Sequence, residues 1–269
     1  MMGLLWRAFP ILQQLEMHFM PIVRFSRVRR LVHWDTIGYE ALVRGPHGTP
    51  LQRPDVLFAL AGALGLKRAL DLWCIESSMR RLTDLPLDAS LFINVAVDTM
   101  LSPEFEALTA RSTAYLERRQ VVFEILEGHI PSISSMRDRV ASCMNLGYRF
   151  AIDDIGAHGS SLERMVELGP VHFLKLDRTF LTRVWPEDTV RARAWLGLVR
   201  ETARVTGAQI VLEGIEEANL GQLAELHRLG IELGQGYLFG KASALEHPSE
   251  TPQMTSWEQP AKSKRTQPG

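Results

Sequence analysis

The stretch "MHFMPIVRFSRVRRLVHWDTIGYEALVR", residues 17–44, holds two strand-like runs, "MHFMPIVRF" (17–25) and "TIGYEALVR" (36–44). The short polar piece "SRVRRLVHWD" joins them. A parallel crossover needs about a dozen residues or more, usually with a helix, so this link favours an antiparallel hairpin. After the hairpin the pattern changes. "PDVLFALAGALGLKRALDLWCIESSMRRL" (54–82) carries apolar residues at helical spacing, with Pro54 placed to open a helix.

Strand-like runs then recur as "SLFINVA" (90–96), "QVVFEILE" (120–127), "RFAIDD" (149–154), "HFLKLD" (172–177), "QIVLEGIE" (209–216) and "GQGYLFG" (234–240). Helical patterns over 103–119, 133–147, 161–169, 188–207 and 219–230 separate them, and Gly147, Gly169, Gly207 and Gly230 stand where left-handed C-caps belong. Eight strands in all, an initial hairpin and then six separated by helices, predict an α/β fold, a (β/α)8 TIM-like barrel. A doubly wound open sheet shares the local pattern, but no GxGxxG follows an early strand. The expected organisation is a lead-in segment over 1–15, the barrel over 16–245 and a disordered tail over 246–269, rich in Pro, Ser, Thr and charge.

Composition narrows the function classes. The chain has 269 residues, 46% of them hydrophobic and 23% charged, with a formal net charge of −1. That charge gives no footprint for a DNA or RNA polymer. Cys74 and Cys143 are the only cysteines and make no zinc spacing, which fits a reduced, cytoplasmic setting. The apolar N-terminal stretch is interrupted by Arg7, Pro10, Gln13, Gln14 and Glu16, short of the ~20 residues of a membrane span. It reads as a peripheral helix leading into the first strand.

The polar residues fall at the ends of strands. Glu40, Asn94, Glu124, Glu127, Asp153, Asp154, Lys175, Asp177, Glu213 and Glu216 fall in the later part of strand-like runs, and the last run carries Gln235. In a barrel the C-terminal strand ends meet on one face, where active sites lie. Taken singly, each has a plain explanation as a solvated loop residue, a helix cap or, for Asn94, a turn former. Lys175, flanked by apolar residues, needs a buried partner. Taken together, the carboxylates repel unless cations bind among them. Oxygen donors without His or Cys suit Mg²⁺ or Mn²⁺ rather than zinc. Two such ions, ~3.5–4 Å apart, clamp the attacking and leaving oxygens of a phosphoryl displacement, with Lys175 as a fixed positive charge.

"YEALVRG" carries the Glu40-Ala41-Leu42 triplet, and "MPIV", "FINVA", "FEILE", "AIDDIG", "FLKLDRTF", "VLEGIE" and "GQGYLF" follow in one order. In this the sequence resembles the EAL domain family of cyclic di-GMP phosphodiesterases over about residues 16–243. The resemblance implies a modified (β/α)8 barrel with an antiparallel first strand. It also implies hydrolysis of cyclic di-GMP to linear pGpG with two Mg²⁺ or Mn²⁺ ions, and a homodimer. By matched position it implies Glu40, Asn94, Glu124 and Asp153 as ligands of a first ion, and Asp153, Asp154 and Glu213 as ligands of a second. Lys175 takes the place of a lysine that contacts water and phosphate, and Glu213 that of a general base. Leu42, Arg44, Glu216 and Gln235 fall at substrate-contacting or supporting positions, and Glu127 at one that anchors a loop.

Seven positions, four of them in one loop, depart from the family pattern. "DDIGAHGSS" replaces the usual "DDFGTGYSS", Leu126 stands for Thr, Met20 for Gln and Ala242 for Pro. The altered loop motivates an alternative, a weak or inactive EAL domain acting as a cyclic di-GMP receptor or a protein-interaction module. A barrel hydrolase of another phosphodiester is the third reading.

Overall fold

The initial hairpin is longer than its sequence suggests. In the computed structural model, which describes residues 13–28, 31–116, 119–125, 132–156, 166–245 and 253–256, strand β1 (Glu16–Val28) pairs antiparallel with β2 (Leu31–Arg44) from end to end. "SRVRRLVHWD" is therefore not a link but the continuation of both strands. Alternation explains it: Val32 and Trp34 turn inward and are buried, while Asp35 faces out. Phe25 pairs opposite Trp34. The register shifts at Ile22/Val23, which face Gly38 and Thr36, so Ile37 is an extra residue that bends β2.

Six further strands complete a ring. They are β3 (Ser90–Val95), β4 (Gln120–Ile125), β5 (Arg149–Ile155), β6 (Phe173–Leu176), β7 (Gln209–Leu212) and β8 (Leu233–Gln235). Each pairs parallel with its predecessor from β2 onward, and β8 closes the ring against β1, which runs antiparallel to both neighbours. The expected barrel with a reversed first strand is present.

The run 54–82 is two helices, not one. Helix α1 (Pro54–Ala63) ends just before Gly65, which takes φ +68°, and α2 (Lys67–Arg80) begins two residues after it. Helices α3 (Pro103–Arg111), α4 (Ile133–Asn145), α5 (Thr189–Thr206) and α6 (Leu220–Arg228) follow their strands. Local chemistry sets their ends. The Asp188 carboxylate accepts hydrogen bonds from the backbone N–H of Val190 and Arg191 to open α5, and Gly207, left-handed at φ +77°, closes it. The helix expected over 161–169 lies largely outside the described residues, with 166–168 helical.

The tail departs from expectation at one place. Gln253–Ser256 forms strand β9, antiparallel to Leu31–Trp34. β3 covers only Gly38–Ala41 of β2, so the hairpin arm leaves an edge of unpaired N–H and C=O groups on which a strand can add. Residues 1–12, 246–252 and 257–269 lie outside the described residues. Among the described residues no helix is long and apolar enough to cross a membrane.

Two apolar layers hold the barrel. Outside the strands, Leu91, Ile93, Phe123, Phe150, Leu174 and Leu212 pack against helical residues such as Phe105, Val140, Leu196 and Leu223, all fully or nearly fully buried. Inside, one ring of side chains fills the lumen: Ile22, Phe92, Val122, Ala151, Phe173, Val211 and Leu233. Full burial of a Val, Leu, Ile or Phe side chain contributes roughly 1.5–3 kcal/mol, so this inner ring is a strong constraint on strand register.

Candidate active site

Side chains on a strand point to the same face every second residue. Counting two positions up from the inner ring gives Asn94 above Phe92, Glu124 above Val122, Asp153 above Ala151, Lys175 above Phe173, Glu213 above Val211 and Gln235 above Leu233. Glu40 joins them from β2. A polar layer thus sits one pleat repeat above an apolar one, at the C-terminal mouth.

Lys175 is the hub. Its Nζ lies 2.7 Å from Glu213 Oε1, 2.8 Å from Glu124 Oε1, 3.3 Å from Asp153 Oδ1 and 3.5 Å from Glu40 Oε2. The partner demanded by a lysine amid apolar neighbours is there four times over. Glu40 is fixed from both sides, accepting from Asn94 Nδ2 at 2.9 Å and from Gln235 Nε2 at 2.6 Å. Glu40, Glu124, Asp153, Lys175 and Gln235 are all buried.

Neighbouring aspartates cannot share a face in a regular strand. Here β5 slips register between Ile152 and Ile155, and Asp154 takes a left-handed φ of +59°, the one non-glycine residue of positive φ among those described. The kink turns Asp154 back toward Asp153. Ligand atoms of Asp153, Asp154 and Glu213 lie within 4.8 Å of one another. Gly214, next to Glu213, has φ +68°, and a Cβ there would stand 2.3 Å from Arg178 Cβ. Only glycine lets the β7 exit pass so near the β6 exit.

The electrostatics are strained. Burial pushes Glu124 well above the usual carboxylate range, against the counter-pull of Lys175. Burial likewise raises Asp153, lifts Asp154 to about 6 with help from Asp153 and Asp177, and lifts Glu213 to about 8. Glu40 goes the other way. Burial opposes its charge, but Lys175 and the hydrogen bonds from Gln235 and Asn94 prevail and hold it below its ordinary value. Desolvation would lower Lys175, yet the four carboxylates keep it protonated, well above its normal pKa.

Glu124 Oε2 and Gln235 Oε1 are buried without a hydrogen-bond partner among the described residues. A buried carboxylate oxygen left bare costs free energy unless a cation or donor satisfies it. The all-oxygen donor set, with its bare atoms, fits a hard divalent cation.

Two further expected residues, Leu42 and Arg44, follow Glu40 on β2. Leu42 is half-buried and lines a cavity of about 370 Å³ with Phe58, Asp71, Cys74 and Asn94. Arg44 is half-buried and donates from Nη1 to the Val43 carbonyl at 3.0 Å. Glu216 stands apart from the cluster. It is exposed, and its N–H donates to Asn219 Oδ1 at 2.8 Å, starting the turn into α6. Glu127 lies outside the described residues. Asp71 was not anticipated: buried on α2, its Oδ2 accepts from the Ala96 N–H at 3.0 Å and fixes the chain just beyond Asn94. The signal was a lone acid within the apolar pattern "ALDLWC".

The profile of the EAL domain family matches residues 5–242. The chain belongs to the EAL domain family. Among relatives of this EAL domain, the cyclic di-GMP phosphodiesterase RocR of Pseudomonas aeruginosa is 32% identical over 174 residues, 64% of this chain and 43% of RocR. A protein of Azorhizobium caulinodans is 31% identical over 242 residues, 85% of this chain and 31% of its own length. The EAL domain thus spans less than half the length of either relative. Its fold superposes on the PaMucR phosphodiesterase in complex with c-di-GMP at a TM-score of 0.70 and 24% identity, covering 90% of this chain and 96% of that one. The manganese/cy-diGMP complex of Klebsiella pneumoniae BlrP1 gives a TM-score of 0.71 at 23% identity, covering 91% of this chain and 59% of that one. Both likenesses concern the fold.

Proposed function

We propose that the domain hydrolyses one phosphodiester bond of cyclic di-GMP, releasing linear pGpG, with two divalent cations, Mg²⁺ or Mn²⁺. The observation that carries this reading is charge. Five carboxylates, Glu40, Glu124, Asp153, Asp154 and Glu213, face one ammonium, so with all ionised four negative charges stand uncompensated at the mouth. Two divalent cations match that deficit. Glu40, Asn94, Glu124 and Asp153 would hold one, and Asp153, Asp154 and Glu213 the other. When bound, the ions supply Lewis-acid polarisation of the phosphodiester.

The chain's own residues do the rest. Asn94 and Gln235 lock the Glu40 carboxylate in one orientation by hydrogen bonds from opposite sides. Lys175, held by Glu213 and Glu124 at 2.7 and 2.8 Å, keeps a permanent positive charge where negative charge develops. Glu213, at the mouth 2.7 Å from Lys175 Nζ, is the carboxylate that accepts the proton of the attacking water. Arg44 and Leu42, just after Glu40 on β2, receive the phosphate and the nucleoside.

The test is incubation of the protein with cyclic di-GMP and Mn²⁺ or Mg²⁺, followed by chromatographic separation of products. Formation of pGpG that stops with a chelator is expected, and Glu40→Ala should abolish it. Cyclic di-GMP left intact over hours with either ion refutes the reading. The altered "DDIGAHGSS" loop supports a second reading, a receptor that binds the nucleotide without cleaving it. Tight binding with no turnover is its signature, and measurable turnover excludes it.

A further inference from the structure

Helix α1 is apolar on every side. Its one charged residue is Asp55, and the rest of the run is Pro, Val, Leu, Phe, Ala and Gly. A surface helix of a globular protein keeps polar residues on its outer face, and a helix apolar all round belongs in an interior. Leu57 and Ala61 account for the inner face, buried in one cluster with Val43 of β2. On the outer face Val56, Leu60, Ala63 and Leu64 recur at i, i+4, i+7 and i+8, with Leu60 41% and Leu64 53% exposed. Among the described residues nothing seals this stripe.

The chain delivers a cover to that spot. β1 opens at Glu16, opposite Arg44 at the end of β2, and α1 begins shortly after Arg44. Leu15, just before β1, is buried in the same cluster as Leu57 and Ala61 of α1. Residues 1–12, outside the described ones, therefore lead into a residue already packed with this helix. Three residues of chain span at most about 11 Å, roughly the width of one helix, so the segment need only round α1 to reach its outer side. The composition matches. Leu4, Leu5, Trp6, Phe9, Ile11 and Leu12 fall in this segment, and Arg7 is its one charged side chain.

We propose that residues 1–12 dock as an apolar strap on the outer face of α1, sealing Leu60 and Leu64 between the strap and the barrel. Helix α1 lends Phe58 to the cavity that Leu42 and Asn94 also line, so the strap braces one wall of that cavity from behind.

Hydrogen exchange read by mass spectrometry, with light scattering for molecular mass, tests this on the whole chain. Amides of residues 4–12 should exchange at least about tenfold more slowly in the parent than in Leu60→Glu/Leu64→Glu, because carboxylates on the stripe are costly to bury under an apolar cover. The reciprocal pair, Leu5→Glu/Phe9→Glu, should speed exchange over residues 54–64 by a similar factor and leave β3–β8 as in the parent. That second arm reads the contact even where the helix variant does not fold. Residues 4–12 exchanging in the parent at the rate of an unstructured chain overturn the strap, as does protection that Leu60→Glu/Leu64→Glu leaves unchanged. Two further results overturn it by naming another occupant. A dimer that Leu60→Glu/Leu64→Glu dissociates, with residues 4–12 unprotected, gives the face to a second copy. Protection of residues 4–12 that arises only with phosphatidylcholine–phosphatidylglycerol vesicles gives the segment to a lipid surface.

Discussion

Replacing Lys175 by Met isolates what the hub contributes to stability. The exchange keeps much of the side-chain volume but removes the ammonium that faces Glu213, Glu124, Asp153 and Glu40 at 2.7–3.5 Å. Lys175 is fully buried, so water cannot replace it without opening the barrel mouth. Breaking a buried ion pair by removing one partner costs about 3–5 kcal/mol. For a domain of this size each kcal/mol lowers Tm by about 2–4 °C, giving an expected fall of roughly 6–20 °C in metal-free buffer.

The sign of the pH dependence follows from the carboxylates. Glu213 already has a folded-state pKa of about 8, raised by burial above its unfolded value. A carboxyl raised in the folded state leaves stability intact below its unfolded pKa and drains it as pH climbs toward the folded one. Removing the ammonium raises these carboxyls further, so the gap between variant and parent should widen from about pH 6 to about pH 9. Circular dichroism melts in the presence of a chelator measure it. A variant melting within about 2 °C of the parent throughout, or a gap that narrows as pH rises, refutes the hub.

Other expectations are simpler to check. Mn²⁺ affinity should rise with pH across the window set by Asp154, at about 6, and Glu213, at about 8, because bound protons must leave before a cation enters; calorimetry showing a flat profile would contradict this. Gly214→Ala forces a side chain into a left-handed backbone and onto Arg178, and should cost at least about 1–3 kcal/mol in denaturant unfolding. Asp188→Ala removes the N-cap of α5 and should cost about 1 kcal/mol by the same measurement.

The barrel was readable because its strands carry two messages in register, an apolar residue for the lumen and a polar one two positions later, as in Phe173 and Lys175 or Val211 and Glu213. What escaped reading has local causes. Three arginines in "SRVRRLVHWD" mask a strand alternation that Val32 and Trp34 continue, so the hairpin looked shorter than it is. Helical periodicity runs straight through Leu64-Gly65-Leu66 and hides the break between α1 and α2, which depends on the φ of Gly65. Adjacent aspartates announce a site, but that both serve one cluster depends on the register slip and on the left-handed backbone of Asp154. Glu216 is a strand-end acid of another kind, standing apart from the Lys175 cluster and starting the turn into α6.

A resident ammonium at the centre of the acidic layer separates assembly from activation. Zinc fingers and similar small modules are unfolded until their ion arrives, so stripping the metal dismantles them. Here Lys175 acts as a built-in placeholder, holding Glu213, Glu124, Asp153 and Glu40 in formation before any divalent ion is loaded. Depletion of such ions should leave this protein standing but silent, ready to resume when supply returns.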